Sequence, residues 1–356
     1  MGPTHPYKGG VAQHTTMLAE HLAEAGHRVD LLSWSAQYPK RLYPGELELD
    51  ESRTEATFPG TRRALAWYDP TSWWRSAAGP ASDADLVVLS VVNGFQVPAY
   101  AAIMKRVRRH GARVVALCHN VKPHEADPLQ QRLLKWLLGS VDGVLVHSEV
   151  EAGTARSVGV AAPVVARLPF FFPTPESGPR PPGERSGRLL FFGLVRPYKG
   201  IDVLIRAVAR ADTPVEVTIA GEFWTPVEHT RELARELGLE DRVQIIDDYL
   251  APEAIMDLFS EHDALVCPYL SGTGSQQPQI AHLAGRPAIA TRVGDLADQV
   301  VDGVDGMLVE PGDVDALAAA IDRLYDGETL EALTSGVRPP DVPAQWAGYI
   351  EALLSA

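Results

Sequence analysis

RLLFFGLVRPYKG, residues 188–200, is the stretch on which the fold is decided. Leu189 to Phe192 are four consecutive apolar residues between an arginine and Gly193. A run that apolar and that short fits a strand buried on both faces, the kind found in parallel sheets covered by helices. Just past the strand end stand Arg196 and Lys199, three positions apart, followed by Gly200. A guanidinium grips a phosphate through two parallel hydrogen bonds, and an ammonium adds a point charge. On the residues alone two readings stand: a diphosphate seat, or a solvated cationic loop.

The same pattern repeats in both directions. Upstream, RVDLLSW, DLVVLSVV, ARVVALC and GVLVHS alternate with helical stretches. Downstream, VEVTIAG, RVQIID, ALVCPY and PAIAT do the same. Between the two series lies the Pro/Gly-rich FFFPTPESGPRPPGERSG, whose composition is that of a linker. The expectation is an α/β protein of two doubly wound, Rossmann-like domains: residues 1–170, a linker at 171–187, and residues 188–342. A last helix at 343–356, with Trp346 and Tyr349, returns to the first domain. Ligands of such domains sit at the carboxyl ends of the strands, so both domains would face one cleft.

The beginning departs from that scheme. GPTHPYKGG, residues 2–10, is already a turn, and the helix VAQHTTMLAEHLAEAG follows at once. A doubly wound domain opens with a buried strand, which is missing here. An upstream start codon is one explanation; a loop lying on the sheet edge is the other.

Composition narrows the function. The chain has 356 residues, 46% hydrophobic and 22% charged, ordinary for a globular protein. No apolar run reaches the roughly 18 residues a membrane helix needs, and nothing resembles a signal peptide. Cys118 and Cys267 lie in apolar strand-like runs and read as structural thiols of a reducing cytoplasm. Net charge is −14 and uneven: 18 basic against 16 acidic residues up to Phe170, then 14 against 30. The acidic half repels phosphates of a nucleic acid and argues against that partner. The neutral half holds KRVRRHGAR, with Lys105, Arg106, Arg108, Arg109 and Arg113, and LAWYDPTSWWRSAAG, with Trp67, Trp73 and Trp74. A solvated helix exterior is the ordinary reading of such a run; peripheral contact with an anionic membrane is the other.

Three further motifs carry chemistry. Gly9 and Gly10 precede a helix, where backbone can approach an anion closely, although such turns are also plain punctuation. SGTGSQQPQIAHLAG, residues 271–285, leads from Gly272, Gly274 and Ser275 into a helix with Pro278 in its first turn, either an anion seat or an ordinary cap. ALCHNVKPHE puts His119 and Asn120 directly after a strand, as substrate contacts or as loop hydrogen bonders.

Taken in order, these segments resemble the retaining GT-B glycosyltransferases of group 1, family 4-like, and the resemblance covers nearly the whole chain. GPTHPYKGGVAQHT resembles the family's glycine loop, LCHNVKPHE its histidine loop and FFGLVRPYKGIDVLIRA its diphosphate-binding segment. IAGEFW, PAIATRVGDLADQVVDGVDGMLVEPGD and QWAGYIEALL match as well. The resemblance implies transfer of a hexose-type sugar from a UDP- or GDP-sugar to a glycan, lipid-linked or small-molecule acceptor, in the cytoplasm or at the inner membrane face. His119, Arg196 and Lys199 would be catalytic: His119 at the donor sugar, the two cations on the leaving diphosphate. Gly9, Gly10, Asn120, Glu222, Tyr249, Leu250, Gly274, Ser275 and Gln279 would bind the donor, Tyr249 and Leu250 at its base. The family uses neither metal nor cofactor, and the sequence carries no acidic metal motif.

One departure stands out. The family's two glutamates, eight positions apart, fall on Gly272 and Ile280. A sub-branch reads Ser-x-Thr-Gly-Ser followed by glutamine, which places Gln279 in the site. Glutamine accepts a hydrogen bond but brings no charge. The rival readings are therefore a catalytically weakened protein that binds nucleotide sugar and a same-fold sugar-nucleotide epimerase.

Overall fold

The computed structural model describes residues 1–7, 9–37, 58–78, 83–121, 128–172, 185–272 and 275–356. They form two units: Met1–Phe171 with Val342–Ala356, and Phe172–Asp341. The first contains α1 (Gly10–Glu24), β1 (Leu32–Ala36), β2 (Arg62–Ala66), α2 (Pro70–Ala77), β3 (Leu86–Val91), α3 (Val97–Val107), β4 (Arg113–Cys118), α4 (Pro128–Leu138), β5 (Gly143–Val146), α5 (Glu149–Ser157) and β6 (Val164–Val165). The second contains β7 (Arg188–Phe192), α6 (Ile201–Arg210), β8 (Glu216–Ala220), α7 (Val227–Glu236), β9 (Val243–Ile246), α8 (Pro252–Glu261), β10 (Ala264–Cys267), α9 (Gln277–Leu283), β11 (Ala288–Thr291), α10 (Leu296–Gln299), β12 (Gly306–Val309), α11 (Val314–Leu324) and α12 (Thr329–Gly336). The terminal helix α13 (Val342–Ser355) belongs to the first unit.

In the first unit β3, β4, β5 and β6 form a parallel sheet, and β1 pairs in parallel with β2. Successive side chains of a strand point to opposite faces, and both faces here are covered. Val114, Ala116 and Cys118 of β4 pack with Val97, Tyr100, Ile103 and Val107, all on one stripe of α3. Val115 and Leu117 pack the other way, against Leu18 and against Trp346, Tyr349, Ile350 and Leu353 of α13. Those four are spaced as one face of a helix requires. The Trp346 indole N–H also donates to Phe170 C=O at 2.9 Å.

Met1 and Gly2 lie between the two sheets. The Met1 ammonium donates to Val88 C=O at 2.7 Å, Ser90 N–H donates to Met1 C=O at 2.8 Å, and Gly2 N–H donates to Leu32 C=O at 3.1 Å. From there the chain is tied down by the Thr4 hydroxyl on Ser33 Oγ (2.7 Å) and by His5 N–H on Thr16 Oγ1 (3.0 Å), and it reaches α1 through Gly9.

The second unit is a six-stranded, wholly parallel sheet in the order β12-β11-β10-β7-β8-β9. The chain moves outward from β7 to β9 and then crosses back to β10, which lies on the other side of β7. Strand order reverses there, and that is where doubly wound sheets place ligands, beyond the carboxyl ends. Three strands have no counterpart in the sequence reading: β2, β6 and β12. RRALA of β2 leaves its first three residues exposed, β6 is two residues long, and GMLV of β12 is four residues behind a turn.

Trp346 is 2% exposed and fills the face of β4 and β5. Trp346→Ala is expected to destabilise the first unit by about 3–5 kcal/mol, the usual range for a buried aromatic. Hydrogen exchange reads it: amides of β4 and β5 should exchange faster while those of β7 and β8 keep their rates. Unchanged protection at β4 would mean that α13 does not support this sheet.

Candidate functional site

In the second unit, β7 delivers the chain to the site. Gly193 ends the strand with φ +106°, and a Cβ there would stand 2.3 Å from Gln277 Nε2 and 3.3 Å from Lys199 Nζ. The backbone is thus pressed against an amide and an ammonium, with no room for a side chain. Residues Pro197–Lys199 make one 3-10 turn that closes on Gly200, φ +70°. A Cβ on Gly200 would meet Pro268 C=O at 2.0 Å, so the turn sits directly on the chain leaving β10.

The two cations are held differently. Lys199 is 8% exposed, with Nζ 5.1 Å from the Tyr269 ring centroid and 5.8 Å from that of Phe191. Burial lowers its pKa to about 8, and the neighbouring Arg196 charge pushes the same way. The half-buried Arg196 lays its guanidinium over the Trp224 indole, 3.7 Å from the ring centroid, a cation–π contact, and its Nε is buried without a hydrogen-bond partner among the described residues. Among the described residues no carboxylate forms an ion pair with either side chain. Taking a cation from water without a counter-charge is costly, and a bound anion removes that cost.

Glu222, half-buried after β8, accepts Val195 N–H on its backbone carbonyl at 2.9 Å and so braces the cationic loop. Tyr249, 41% exposed, and the half-buried Leu250 follow β9. Ser275 N–H donates to Asp295 Oδ1 at 3.1 Å, and the Ser275 hydroxyl donates to Gln277 Oε1 at 2.7 Å. In this conformation an internal carboxylate takes the amide that an anion seat would use. Burial raises Asp295 to about pH 6, partly offset by the hydrogen bonds from Ser275 and Gln299. Gly274 lies outside the described residues, and Gln279 is half-buried on α9. Sequence reasoning passed over Gln277, whose Nε2 donates to Phe192 C=O at 2.6 Å, and over Asp295. Gln277 had a signal, two positions after Ser275 in the same motif; Asp295, twenty positions on, had none.

In the first unit His119 follows β4 immediately and joins His14 of α1 and His147 beyond β5. Ring centroids are 5.1 Å apart for His14–His119, 5.0 Å for His119–His147 and 6.0 Å for His14–His147. His14 also stacks on Trp346 at 5.5 Å and meets Tyr349 edge-on at 5.3 Å. Both ring nitrogens of His14 and the Nε2 atoms of His119 and His147 are buried without a hydrogen-bond partner among the described residues. Burial lowers all three pKa values, His147 to about 4, and the mutual charges of the cluster lower His14 and His119 further. The trio is therefore neutral at pH 7 and acts through dipoles rather than charge. Among the described residues no group of three or more His, Cys, Asp or Glu is placed to hold a metal ion.

Gly9, φ +103°, caps the fifteen-residue α1, and Gly9 and Gly10 are both exposed there. Asn120 is half-buried beside His119. The basic run is partly consumed internally: Arg108 pairs with Asp142 at 3.1 Å, and Arg113 bonds to the carbonyls of Leu354 and Ala356. Lys105, Arg109 and Trp74 remain exposed. Among the described residues no helix is long and apolar enough to cross a membrane.

The histidine trio makes the first unit sensitive to acid. Its folded pKa values lie below the unfolded value of about 6.5, so on acidification the unfolded chain takes up protons first. Stability is full above pH 6.5 and falls as pH drops from there toward 4. Urea midpoints followed by the near-ultraviolet signal of Trp346 should fall between pH 7 and 5, and His14→Phe should flatten that fall. Equal midpoints at both pH values would show that the trio is not held neutral.

Two family models match the chain: "Glycosyltransferase Family 4" over residues 8–169 and "Glycosyl transferases group 1" over residues 186–327. The D-inositol 3-phosphate glycosyltransferase of Mycolicibacterium smegmatis is 27% identical over 267 residues, 69% of this chain and 60% of its own length. That of Corynebacterium diphtheriae is 32% identical over 148 residues, 39% of this chain and 34% of its own. The matched stretches thus span about a third to three-fifths of these relatives. Among solved structures, Anabaena Alr3699/HepE in complex with UDP-glucose superposes with a TM-score of 0.76 at 17% identity, covering 100% of this chain and 98% of its own. The lipopolysaccharide outer core galactosyltransferase WaaB in its apo form gives 0.71 at 15%, covering 99% and 98%. At those identities the likeness establishes the GT-B fold. With one family model on each unit and that fold around them, the chain belongs to the group 1 glycosyltransferases.

Proposed function

We propose that this protein transfers a hexose-type sugar from a UDP- or GDP-sugar to an acceptor hydroxyl with retention of configuration, using Arg196 and Lys199 rather than a metal ion to meet the diphosphate charge. The observation that carries the reading is the buried Lys199 ammonium with Arg196 beside it, neither paired with a carboxylate among the described residues, where strand order reverses. When the bond from the anomeric carbon to the phosphate oxygen breaks, its electron pair stays on the diphosphate, which gains negative charge. Fixed cations in a site shielded from water stabilise that charge without reorganising. In this reading Tyr249 and Leu250 border the base, Gly193 admits the phosphates against the backbone, and His119 contacts the donor sugar as a neutral ring. Gly9, Gly10, Asn120, Glu222, Gly274, Ser275 and Gln279 complete the donor contacts.

The acceptor is a glycan, a glycolipid or a small polyol. D-inositol 3-phosphate is the first to test, because relatives bear that name. Peripheral contact with an anionic membrane through Lys105, Arg109 and Trp74 belongs to the same proposal. A weakened, donor-binding protein is favoured by one observation: the Ser275 amide is already engaged by Asp295.

Calorimetry and product analysis separate the readings. UDP or GDP should bind the wild type, and Arg196→Ala or Lys199→Ala should each cut turnover by about 10²–10³-fold, the usual cost of losing one electrostatic donor. His119→Ala should slow turnover more than it weakens nucleoside-diphosphate binding. Wild-type rates in both cation variants would overturn the assignment. Tight binding without turnover on any acceptor tried would leave the donor-binding protein.

A further inference from the structure

The sugar-transfer chemistry makes no use of Asp295, although its carboxylate reaches the neighbourhood of the cations. The residue is half-buried and stands just past β11, where α10 begins. Its Oδ1 accepts the Ser275 amide N–H at 3.1 Å. From the other end of α10, Gln299 Nε2 donates to Ser275 C=O at 2.6 Å. One short helix thus holds residue 275 on both sides, by its amide and by its carbonyl. The backbone N–H that Asp295 takes is a donor that any oxyanion could use. Burial pushes the Asp295 pKa up to about 6, so above pH 7 the side chain is ionised. Among the described residues no cation pairs with it.

The second unit therefore holds uncompensated charge of both signs, and Tyr269 links the two. Its ring lies 5.1 Å from Lys199 Nζ, and its hydroxyl lies 3.4 Å from the Oγ of Ser275, whose amide Asp295 holds. Burial raises the Tyr269 phenol well above its ordinary range, and the nearby Cys267, Tyr198 and Asp295 push the same way. An anion that rests on Lys199 and extends to the Ser275 amide has to displace the carboxylate. Any surplus negative charge it carries then faces that carboxylate. Sugar transfer changes this charge. A nucleotide sugar carries about two negative charges on its diphosphate, whereas the free nucleoside diphosphate ends in a monoester with a second pKa of about 6 and carries about three above pH 7.

Taking the donor seat proposed above as given, we propose that Asp295 is a specificity-determining residue of that seat: it yields the Ser275 amide to the diphosphate of a nucleotide sugar and takes it back to expel the free nucleoside diphosphate. A like charge at close range disfavours the more highly charged ligand. Discrimination between two similar ligands uses such repulsion as well as attraction. The cations Arg196 and Lys199 hold both ligands, and Asp295 sets the difference between them. The engaged Ser275 amide then belongs to the turnover cycle.

Calorimetry tests this with two ligand pairs, UDP with UDP-glucose and GDP with GDP-mannose, at about pH 7.5, where the terminal phosphate is doubly ionised. The proteins are the wild type, Asp295→Asn and Asp295→Ala. Asparagine keeps an oxygen for the Ser275 N–H and removes the charge; alanine removes both. For the pair that binds, Asp295→Asn should tighten the nucleoside diphosphate about tenfold and the nucleotide sugar about threefold or less, the scale of one partly screened like charge. The dissociation rate of the diphosphate should slow in step. Asp295→Ala should tighten both ligands and keep the same tilt toward the diphosphate. Either variant carries the test if the other fails to fold. Equal effects on the two ligands, or effects below about twofold, overturn the role of Asp295 and leave the donor seat standing. Weaker binding of both ligands at an unchanged melting temperature makes Asp295 a brace for Ser275 and also overturns it. No binding of either pair to any of the three proteins overturns the donor reading itself, and the role of Asp295 with it.

Discussion

A parallel strand buried on both faces has no place for polar chemistry along its length, only at its ends. That constraint organises this protein. In β7 the residues Leu189 to Phe192 are all buried, and the first positions free to do chemistry are those from Gly193 on. In β4 the last apolar residue is Cys118 and the next is His119. The covering layers follow from the same requirement. β4 packs α3 on one face and α1 with α13 on the other, so the last helix of the chain is structural support for the first unit.

The two units solve the electrostatics of a strand end in opposite ways. The second unit buries positive charge at its strand end. A turn locked by Gly200 against Pro268 holds Lys199 among aromatic rings, and Trp224 holds Arg196. Among the described residues the unit's acidic side chains form no ion pair with them: pairs such as Arg188–Glu216 and Arg210–Asp315 lie in solvent, where they contribute little. The first unit buries His14 fully and His119 and His147 partly, and keeps all three imidazoles neutral.

How much of this could be read beforehand follows from the same physics. Continuous apolar runs such as LLFF and VVALC announced β7 and β4, because a doubly covered strand has few polar positions. β2 was silent because Arg62, Arg63 and Ala64 face solvent, and β12 because four residues behind a turn carry too little pattern. Arg196 and Lys199 were legible because three positions place both in one turn. Asp295 was not, since its approach to Ser275 depends on the crossover through β11 rather than on spacing. Gln277 and Gln279 share a helix, and only packing distinguishes the one that faces Gly193. His14 carried no signal of its own, since nothing in the spacing of α1 says that this polar residue is fully buried and stacked on Trp346.

Lys199 is a buried ammonium with no carboxylate partner among the described residues, and the most direct test of the proposed diphosphate seat is its own titration. With ¹⁵N-labelled lysine side chains followed by NMR, Lys199 should titrate near pH 8 in the free protein. Saturating UDP should move that midpoint upward by a unit or more, because a nearby negative charge favours the protonated form. A Lys199 that titrates near 10.5 in the free protein, or one whose midpoint is indifferent to UDP and GDP, would contradict the account.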